Sequence, residues 1–343
     1  MAKEIMAEKN PEYRKNVKIA NRTGEDGRDA EHTRDMTRKK GRIMVVGAVN
    51  MDICGKPYDP LVGADSNPGT VSLSMGGVGR NIAHNLRLLE QPVSLITVFG
   101  DDTNGEVIRS SLKALEIDLS GSVTVPGAST SSYLFITDEK GEMQLAVSDM
   151  NICEKITPQL LAGRLDQIND AVLCVADANL PEESIEFLAE NLSVPLFADP
   201  VSTAKMYKLK RVLGRIHTFK PNRLEAEMLT GIPIVDENSL RLAAAALLDT
   251  GMQRVFISLG ADGVFCADHS QMLLLPGICA RVRSTTGGGD CFMAGLAYAY
   301  REGLSLEDSA HLALAAGAIC TEGEHTINEA LSLRALYERA GIS

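Results

Sequence analysis

The sequence predicts an α/β protein with a mostly parallel central sheet, helices on both of its faces, and a small β-sheet lid over the ligand pocket. From residue 154 onward, short apolar strand patterns alternate with helical patterns, which is typical of a parallel sheet covered on both faces. Two glycine-rich turns, at residues 76–79 and 287–289, each precede an apolar helical pattern. Residues 53–75 and 128–150 carry short runs of alternating apolar and polar residues, which favour the lid.

The predicted elements follow from the spacing of apolar residues. Residues 1–40 mix many charges of both signs and predict a flexible polar extension, whereas 41–343 form the globular domain. Continuous apolar runs predict buried strands at 43–48, 91–100, 171–176, 195–198, 216–220 and 254–258, with hairpin-like strands up to about residue 283. Lid strands are predicted at 131–137 and 144–148. Helices are predicted from about 79, 222, 290 and 306, and over about 105–115, 157–168, 181–191 and 203–214.

Composition excludes several classes of function. The chain has 343 residues, of which 45% are hydrophobic, so it can bury a sizeable core. Its net charge of −11 argues against nucleic acid or an anionic membrane as the main partner. The seven cysteines include no C-x-x-C pair, which favours reduced thiols in the cytoplasm over a disulfide framework or a zinc site. No apolar run approaches the length of a membrane span, so we expect a soluble cytoplasmic protein.

The glycine triplet Gly287, Gly288 and Gly289 is the most informative stretch. Glycine amides followed by a helix N-terminus favour phosphate oxygens, and Asp290 at the junction is placed to take a proton from an attacking hydroxyl. The alternative is a plain helix cap with Asp290 as the capping residue. A Walker loop is excluded because no lysine follows the glycines, and a dinucleotide fingerprint fails at Phe292.

Polar residues follow the first strand and the other glycine turn. Asn50 and Asp52 come after the strand at 43–48, at the edge of the sheet where ligands bind in α/β proteins, although they could merely turn the chain. Gly76 and Gly77 lead into a helix whose first turn carries Asn81, an amide that can face a polyol or cap the helix. Neighbouring Arg80 and His84 are expected to be solvated or to act only indirectly.

Two further stretches predict nucleotide and metal contacts. Asn222 and Glu225 lie one helical turn apart, so they can hold magnesium through water or form a capping pair. Ser258, Gly260 and Gly263 make a sharp turn after a strand, where backbone can meet a nucleotide; taken alone, this signal is weak.

Together these motifs resemble the ribokinase-like (PfkB) family of sugar and nucleoside kinases over roughly residues 42–330. The glycine loop with Asn81, the N-x-x-E of Asn222 and Glu225, and the G-x-G-D ending at Asp290 occur in the order of that family. The resemblance implies ATP and Mg²⁺, with Asp290 as the base and the amides of Gly287 to Gly289 as an anion hole. It also implies that Asp52, aided by Gly77 and Asn81, binds ribose hydroxyls, and that Ser258, Gly260, Gly263 and the neighbouring Thr286 contact ATP.

Within that family, several stretches are similar to the pseudouridine kinases, among them residues 64–69, 148–152, 199–202 and 217–227. This implies phosphorylation of the 5′-hydroxyl of pseudouridine, with Ser132, Asp149 and Asn151 near the base and Asp149 accepting from its N1–H. The rivals are a kinase for uridine or ribose, a catalytically silent nucleoside-binding protein, and a nicotinamide dehydrogenase, disfavoured because neither glycine loop completes the fingerprint.

The resemblance leaves the monovalent cation and the oligomeric state open. Ser284 stands where many members have an aspartate that helps to bind a monovalent cation, which puts potassium activation in doubt. The residue that is usually alanine in this loop is Gly288, which keeps the amide and loosens the loop. Small sheets of this kind often pair, so a homodimer through the lid is expected.

Overall fold

An eight-stranded sheet forms the centre of the protein in a computed structural model, which describes residues 39–342. Its order is β14-β13-β12-β11-β10-β9-β1-β4, and all strands run in the same direction except β13, which is antiparallel to both of its neighbours, β12 and β14. The strands are β1 (Ile43–Val46), β4 (Val93–Ile96), β9 (Leu173–Asp177), β10 (Leu196–Asp199), β11 (Thr218–Phe219), β12 (Arg254–Ser258), β13 (Val264–Asp268) and β14 (Met272–Leu275). Strands β1, β4, β9 and β10 are buried along their whole length, as expected where helices cover both faces.

Helices cover both faces of this sheet. They are α1 (Val78–Leu88), α2 (Thr103–Ala114), α3 (Pro158–Ala162), α4 (Leu165–Asn169), α5 (Glu182–Asn191), α6 (Arg223–Thr230), α7 (Glu237–Leu248), α8 (Gly288–Arg301), α9 (Leu306–Thr321) and α10 (Leu333–Ala340). Because side chains alternate along a strand, Met44 and Val46 pack with α5 and α7, while Ile43 and Val45 pack with α1, α2, α8 and α9.

A separate four-stranded sheet forms the lid, which we define as β2 (Asn50–Pro57), β3 (Gly69–Gly76), β7 (Ser132–Thr137) and β8 (Met143–Asp149). Its order is β3-β2-β7-β8, and only the central pair β2 and β7 is parallel. Two short strands, β5 (Val98–Gly100) and β6 (Val123–Val125), pair beside the main sheet. The lid begins earlier than predicted, because Asn50 and Asp52 lie within β2 instead of at the end of a central strand.

Three predicted elements differ from the structure. Residues 203–214 form no α-helix; Met206, Leu209 and Val212 recur every third residue, and this spacing matches the two short 3₁₀ turns seen there. The strand predicted at 91–100 is divided between β4 and β5, and the helix predicted at 157–168 is divided into α3 and α4. Helices α7 and α10 were not predicted, although Asp236 and Ser332 cap them with their side chains.

The predicted polar extension, residues 1–40, lies outside the described residues except for Lys39 and Lys40. Lys39 donates its backbone N–H to the carbonyl of Arg301 at 2.8 Å, and its ammonium group lies over the ring of Tyr300. Within residues 39–342, no helix combines the length and apolar character required to cross a bilayer.

Candidate active site

The turn before α8 presents backbone amides to the cleft. Gly287 has φ +83°, and a Cβ at this position would lie 2.1 Å from the carbonyl oxygen of Thr326, so only glycine fits. Within residues 39–342, the amides of Gly289 and Asp290 have no hydrogen-bond partner, because they precede the first complete helical turn. Unpaired amides at a helix N-terminus form an anion site.

Asp290 lies in the first turn of α8, beside these amides. Its Oδ2 accepts a hydrogen bond from Nδ2 of Asn81 at 2.8 Å. Burial and the nearby charge of Asp199 raise the pKa of Asp290 to about 8, although Asn81 and Lys220 act in the opposite direction. A carboxyl group with a pKa in this range can accept and release a proton near neutral pH.

A chain of polar contacts links Asp290 to the base of the lid. One guanidinium nitrogen of Arg80, Nη1, donates to Oδ1 of Asn81 at 3.1 Å and to the carbonyl of Met75 at 3.0 Å. Only 4% of Arg80 is exposed, and burial lowers its pKa to about 10. Arg80 is therefore buried and reaches Asp290 only through Asn81, so of the two expectations for it, a solvated position or an indirect role, the structure agrees with the indirect role.

Asn50 and Asp52 face the same cleft from strand β2. Nδ2 of Asn50 donates to Oδ1 of Asp52 at 2.6 Å, and the charge of Arg80 acts on the Asp52 carboxylate. The other carboxylate oxygen lies 2.3 Å from the position that a Cβ on Gly76 would take, so Gly76 is required for Asp52 to fold over the backbone. Burial raises the pKa of Asp52. Of the predicted substrate residues, Asn50, Asp52, Gly76, Gly77 and Asn81 are thus brought together.

The turn before α1 is occupied by the protein's own carboxylate. Oδ2 of Asp177 accepts hydrogen bonds from the backbone amides of Ala48 and Gly79, each at 2.9 Å. Its Oδ1 accepts a hydrogen bond from the backbone amide of Asn179 at 2.8 Å. Only 1% of Asp177 is exposed, and burial raises its pKa against the effect of these amides. Asp177 was not predicted; the only signal in the sequence is an acidic residue at the end of a buried strand.

His84, one helical turn after Arg80, is also buried, with 5% of its surface exposed. Burial and the charge of Arg80 lower its pKa to about 4, and its Nε2 lies 3.4 Å from a carboxylate oxygen of Glu329. A neutral imidazole is therefore expected at neutral pH. Of the two expectations for His84, a solvated position or an indirect role, its burial excludes the first.

A buried lysine that was not predicted lies under the α8 turn. Lys220 follows β11 and is 6% exposed; its Nζ lies 3.5 Å from Oδ2 of Asp199 and 3.3 Å from the position of a Cβ on Gly289. Burial would lower the pKa of Lys220, but the charges of Asp199, Glu225 and Asp290 outweigh burial and raise it. Lys220 is therefore a cation directed at the anion site. A lysine at the carboxyl end of an apolar strand was the available signal.

A cavity of about 670 Å³ adjoins this lysine and the α8 turn. Its walls are largely apolar, with Ile278, Val282, Phe292 and Leu314 among them, while Lys220, Gly288 and Gly289 line one end. Apolar walls with a few polar groups at one end suit a planar ligand that carries phosphates. Three of the residues predicted to contact ATP line this cavity: Ser258, Gly260 and Gly263. Thr285 lines the cavity in place of the predicted Thr286, whose amide donates to Oγ of Ser284 at 3.2 Å.

Asn222 and Glu225 form a capping box at the start of α6. Oδ1 of Asn222 accepts the amide of Glu225 at 2.9 Å, and Oε2 of Glu225 accepts the amide of Asn222 at 2.8 Å. The alternative interpretation of the pair as a cap is thus observed. Glu225 is 4% exposed and its pKa is raised by burial, and its charge reaches Lys220.

Two of the remaining predicted substrate residues, Ser132 and Asp149, do not share a face of the lid with Asp52. Paired residues of adjacent strands share a face, and successive residues alternate. Asp52 pairs with Tyr133, so Ser132 and its partner Asp149 belong to the opposite face of the lid. Oγ of Ser132 donates to the carbonyl of Thr130 at 3.3 Å, and Asp149 and Asn151 are exposed. The structure places Ser132 and Asp149 on the face opposite Asp52, because the strands were predicted without their register, whereas Asn151 follows β8 at an exposed position.

The anion site, the acid beside it and the residues that line the adjoining cavity all lie within the part of the chain that matches a family model. Residues 40–332 match the model of the pfkB family of carbohydrate kinases. The chain belongs to this family. It is a phosphotransferase that uses an alcohol group as the acceptor.

Individual relatives agree with this assignment. The pseudouridine kinase of Escherichia coli is 38% identical over 298 residues, which cover 86% of this chain and 95% of that protein. An uncharacterized sugar kinase of Escherichia coli, YeiI, is 39% identical over 321 residues, which cover 89% of this chain and 88% of that protein. The structure of Arabidopsis thaliana ribokinase complexed with ribose and ATP superposes with a TM-score of 0.79 at 22% identity, over 88% of this chain and 99% of that chain. The fold is therefore ribokinase-like, and the chain is a nucleoside or sugar kinase.

Proposed function

We propose that this kinase transfers the γ-phosphoryl group of ATP to the 5′-hydroxyl of pseudouridine, giving pseudouridine 5′-phosphate and ADP. The similarity to the pseudouridine kinase of Escherichia coli over 95% of its length supports this substrate. The equally similar sugar kinase YeiI makes a sugar substrate the competing possibility. The single observation that carries the reaction type is Asp290 beside the unpaired amides of the α8 turn.

The proposed reaction uses the groups around this turn in distinct roles. Asp290 takes the proton of the acceptor hydroxyl while that oxygen attacks the γ-phosphorus and the bond to the bridging oxygen of ADP breaks. The amides of Gly289 and Asp290, with the charge of Lys220, stabilise the transferring phosphoryl oxygens. Asn81 holds the Asp290 carboxylate in place through its 2.8 Å hydrogen bond. Asp52 accepts hydrogen bonds from the ribose hydroxyls, which orients the 5′-hydroxyl towards Asp290.

ATP fits the cavity beside the α8 turn, and magnesium fits a water-mediated role. Within residues 39–342, no group of three or more His, Cys, Asp or Glu residues is arranged to hold a metal ion. This agrees with a cation carried by the nucleotide phosphates, since Mg²⁺ keeps several waters and uses few protein ligands. Asn222 and Glu225 would hold those waters, because Oε1 of Glu225 takes no part in the capping box. The cation would supply neutralisation of the phosphate charge.

We further propose a homodimer formed through the outer face of the lid. That face carries exposed apolar side chains, including Val71, Leu73, Leu145 and Val147, each more than half exposed. An apolar patch of this kind is usually covered by a partner surface. Light scattering of the purified protein tests this: Leu73→Asp should convert a dimer into a monomer, and a monomeric wild type would contradict the proposal.

All seven cysteines are unpaired, which supports the proposed cytoplasmic location.

The substrate is tested by offering pseudouridine, uridine and ribose at equal concentrations with ATP and magnesium. We expect the highest kcat/KM for pseudouridine and the loss of turnover in Asp290→Asn. Higher kcat/KM for uridine or ribose would overturn the substrate and retain the kinase. Binding of a nucleoside without any phosphorylation by the wild type would contradict the proposed reaction and favour a silent nucleoside-binding protein.

A further inference from the structure

The register of the lid defines which side chains share a face with Asp52. Asp52 pairs with Tyr133 across β2 and β7, and Cys54 pairs with Phe135. Residues that pair in this way project to the same side of the sheet. Asp52 itself faces the cleft, since it bonds Asn50 and lies over Gly76. Tyr133 and Phe135 therefore project from the lid into the cleft side, directly beside the residue proposed to hold the ribose.

The two rings lie side by side, tilted relative to each other, and form an apolar surface. Their centroids are 5.5 Å apart with an interplanar angle of 33°, and the Tyr133 hydroxyl donates to Sδ of Met143 at 3.3 Å. Both rings are half-buried, and neither belongs to a core cluster of the described residues. Aromatic rings held in a cleft without core partners are suited to bind another planar ring, because stacking tolerates many ring chemistries.

We propose that Tyr133 and Phe135 form a stacking platform for the base of a nucleoside, and so make the enzyme select a ribose that carries a planar heteroaromatic ring over free ribose. The inference rests on the proposed function, because it assumes that Asp52 holds the ribose. According to this proposal, the base binds on the face of the lid that carries Asp52. It does not bind near Ser132 and Asp149, which lie on the opposite face. Ser74 and Ser148, which pair with Asp52 and Tyr133, flank the platform with hydroxyl groups suited to the edge of the base.

The experiment compares kcat/KM for pseudouridine, uridine and ribose in the wild type, Tyr133→Ala, Phe135→Ala and Tyr133→Phe. Tyr207→Ala is the matched control, since Tyr207 is 54% exposed and lies in a 3₁₀ turn (Met206–Leu209) remote in sequence from the lid. We expect each lid alanine variant to lose about tenfold in kcat/KM for nucleosides and less than twofold for ribose. Tyr133→Phe should retain wild-type preference, because the ring remains.

Several outcomes overturn the platform. An equal loss for ribose and nucleosides would mean that the rings only support the lid, and unchanged nucleoside kinetics would mean that they do not touch the base. If ribose turnover is too slow to measure, calorimetric binding decides: the nucleoside Kd should rise about tenfold in the alanine variants and stay unchanged in Tyr207→Ala, and an unchanged Kd in the alanine variants overturns the platform.

The same data separate this inference from the proposed substrate. A wild type that prefers uridine, with selective loss in the lid variants, would retain the platform and overturn pseudouridine. A wild type that prefers pseudouridine, with no selective loss, would retain the substrate and overturn the platform.

Discussion

The two glycine turns of this protein look alike in sequence and differ in what their amides bind. Both lead into a buried helix, α1 after Gly77 and α8 after Gly287. At α1, the carboxylate of Asp177 accepts the amide of Gly79, so the protein fills this site itself. At α8, the amides of Gly289 and Asp290 have no partner within residues 39–342. A glycine turn before a helix therefore predicts an anion site only where the fold supplies no internal anion.

This difference separates the structural role of the α1 turn from the chemical role that we propose for the α8 turn. The α1 turn joins β1, β9 and α1 through one buried carboxylate, and thereby fixes Asn81 in the first turn of α1. The α8 turn keeps its amides free for a ligand and places Asp290 against Asn81. The α1 turn thus positions Asn81, whose side-chain amide donates a hydrogen bond to Asp290 in the first turn of α8. Substitution of the acid at each turn should consequently affect different properties.

The largest effect is expected for Asp290→Asn. Loss of the base should lower kcat by roughly 10²- to 10⁴-fold, while the Kd values for ATP and nucleoside stay within a few-fold of wild type. Since the pKa of Asp290 in the folded protein lies above its ordinary value, ionisation of Asp290 costs stability as the pH rises from about 4 to about 8. The melting temperature of the variant relative to wild type should therefore increase over that range. Retained kcat would show that another group accepts the proton.

The opposite pattern is expected for Asp177→Asn. The amide nitrogen of asparagine cannot accept the backbone N–H groups that the carboxylate binds, so we expect a loss of about 3 kcal/mol in the free energy of unfolding. Urea denaturation followed by circular dichroism measures it, with Asp290→Asn as the control that should show no such loss. If the two variants are equally stable, the contrast between the turns is wrong.

A smaller effect is expected for Lys220→Met, which removes the cation beneath the α8 turn. The charge of Lys220 lowers the pKa of Asp290, so its removal should raise that pKa further. The acid limb of kcat/KM against pH should then move to higher pH, with a rate loss of roughly tenfold at pH 7. Lys210→Met, at an exposed position, is the matched control. A parallel loss at every pH would instead indicate a role in binding alone.

The smallest effect is expected from exchanging potassium for sodium. Ser284 is uncharged, and its Oγ accepts the amide of Thr286, so the segment before the α8 turn lacks the carboxylate that many family members use. Rates in equal concentrations of potassium and sodium chloride should agree within about twofold, because a neutral hydroxyl holds a monovalent cation weakly. Ser284→Asp should introduce a preference for one cation. Strong potassium activation of the wild type would contradict this expectation.

Much of the central fold could be predicted from the sequence because buried strands leave local patterns of apolar residues. Strand β12 was predicted at its observed bounds, and the α8 turn was identified from its glycines and Asp290. Helices α7 and α10 were both missed, although each is capped. Residues 203–214 were misassigned because short apolar stretches do not distinguish between helix types.

The contacts that define the site required the structure. Asp177 and Lys220 act on residues distant in sequence, and no local pattern indicates such partners. The register of the lid decided which strand residues face the cleft, since a shift of one position exchanges Tyr133 for Ser132. The glycine motifs thus predicted the turn at which we propose that the reaction occurs, while the residues proposed to select the substrate depended on pairing across strands.

The charges around Lys220 have a consequence for how the ligands depend on one another. Three carboxylates, those of Asp199, Glu225 and Asp290, act on this single ammonium group. When ionised, they leave the centre of the cleft with an excess of negative charge, which repels a nucleotide that arrives without a counter-ion. We therefore expect the divalent cation and the nucleotide to bind as thermodynamically linked ligands, each raising the affinity for the other by the same factor. Metal-free ATP would then be a poor competitor of its own magnesium complex.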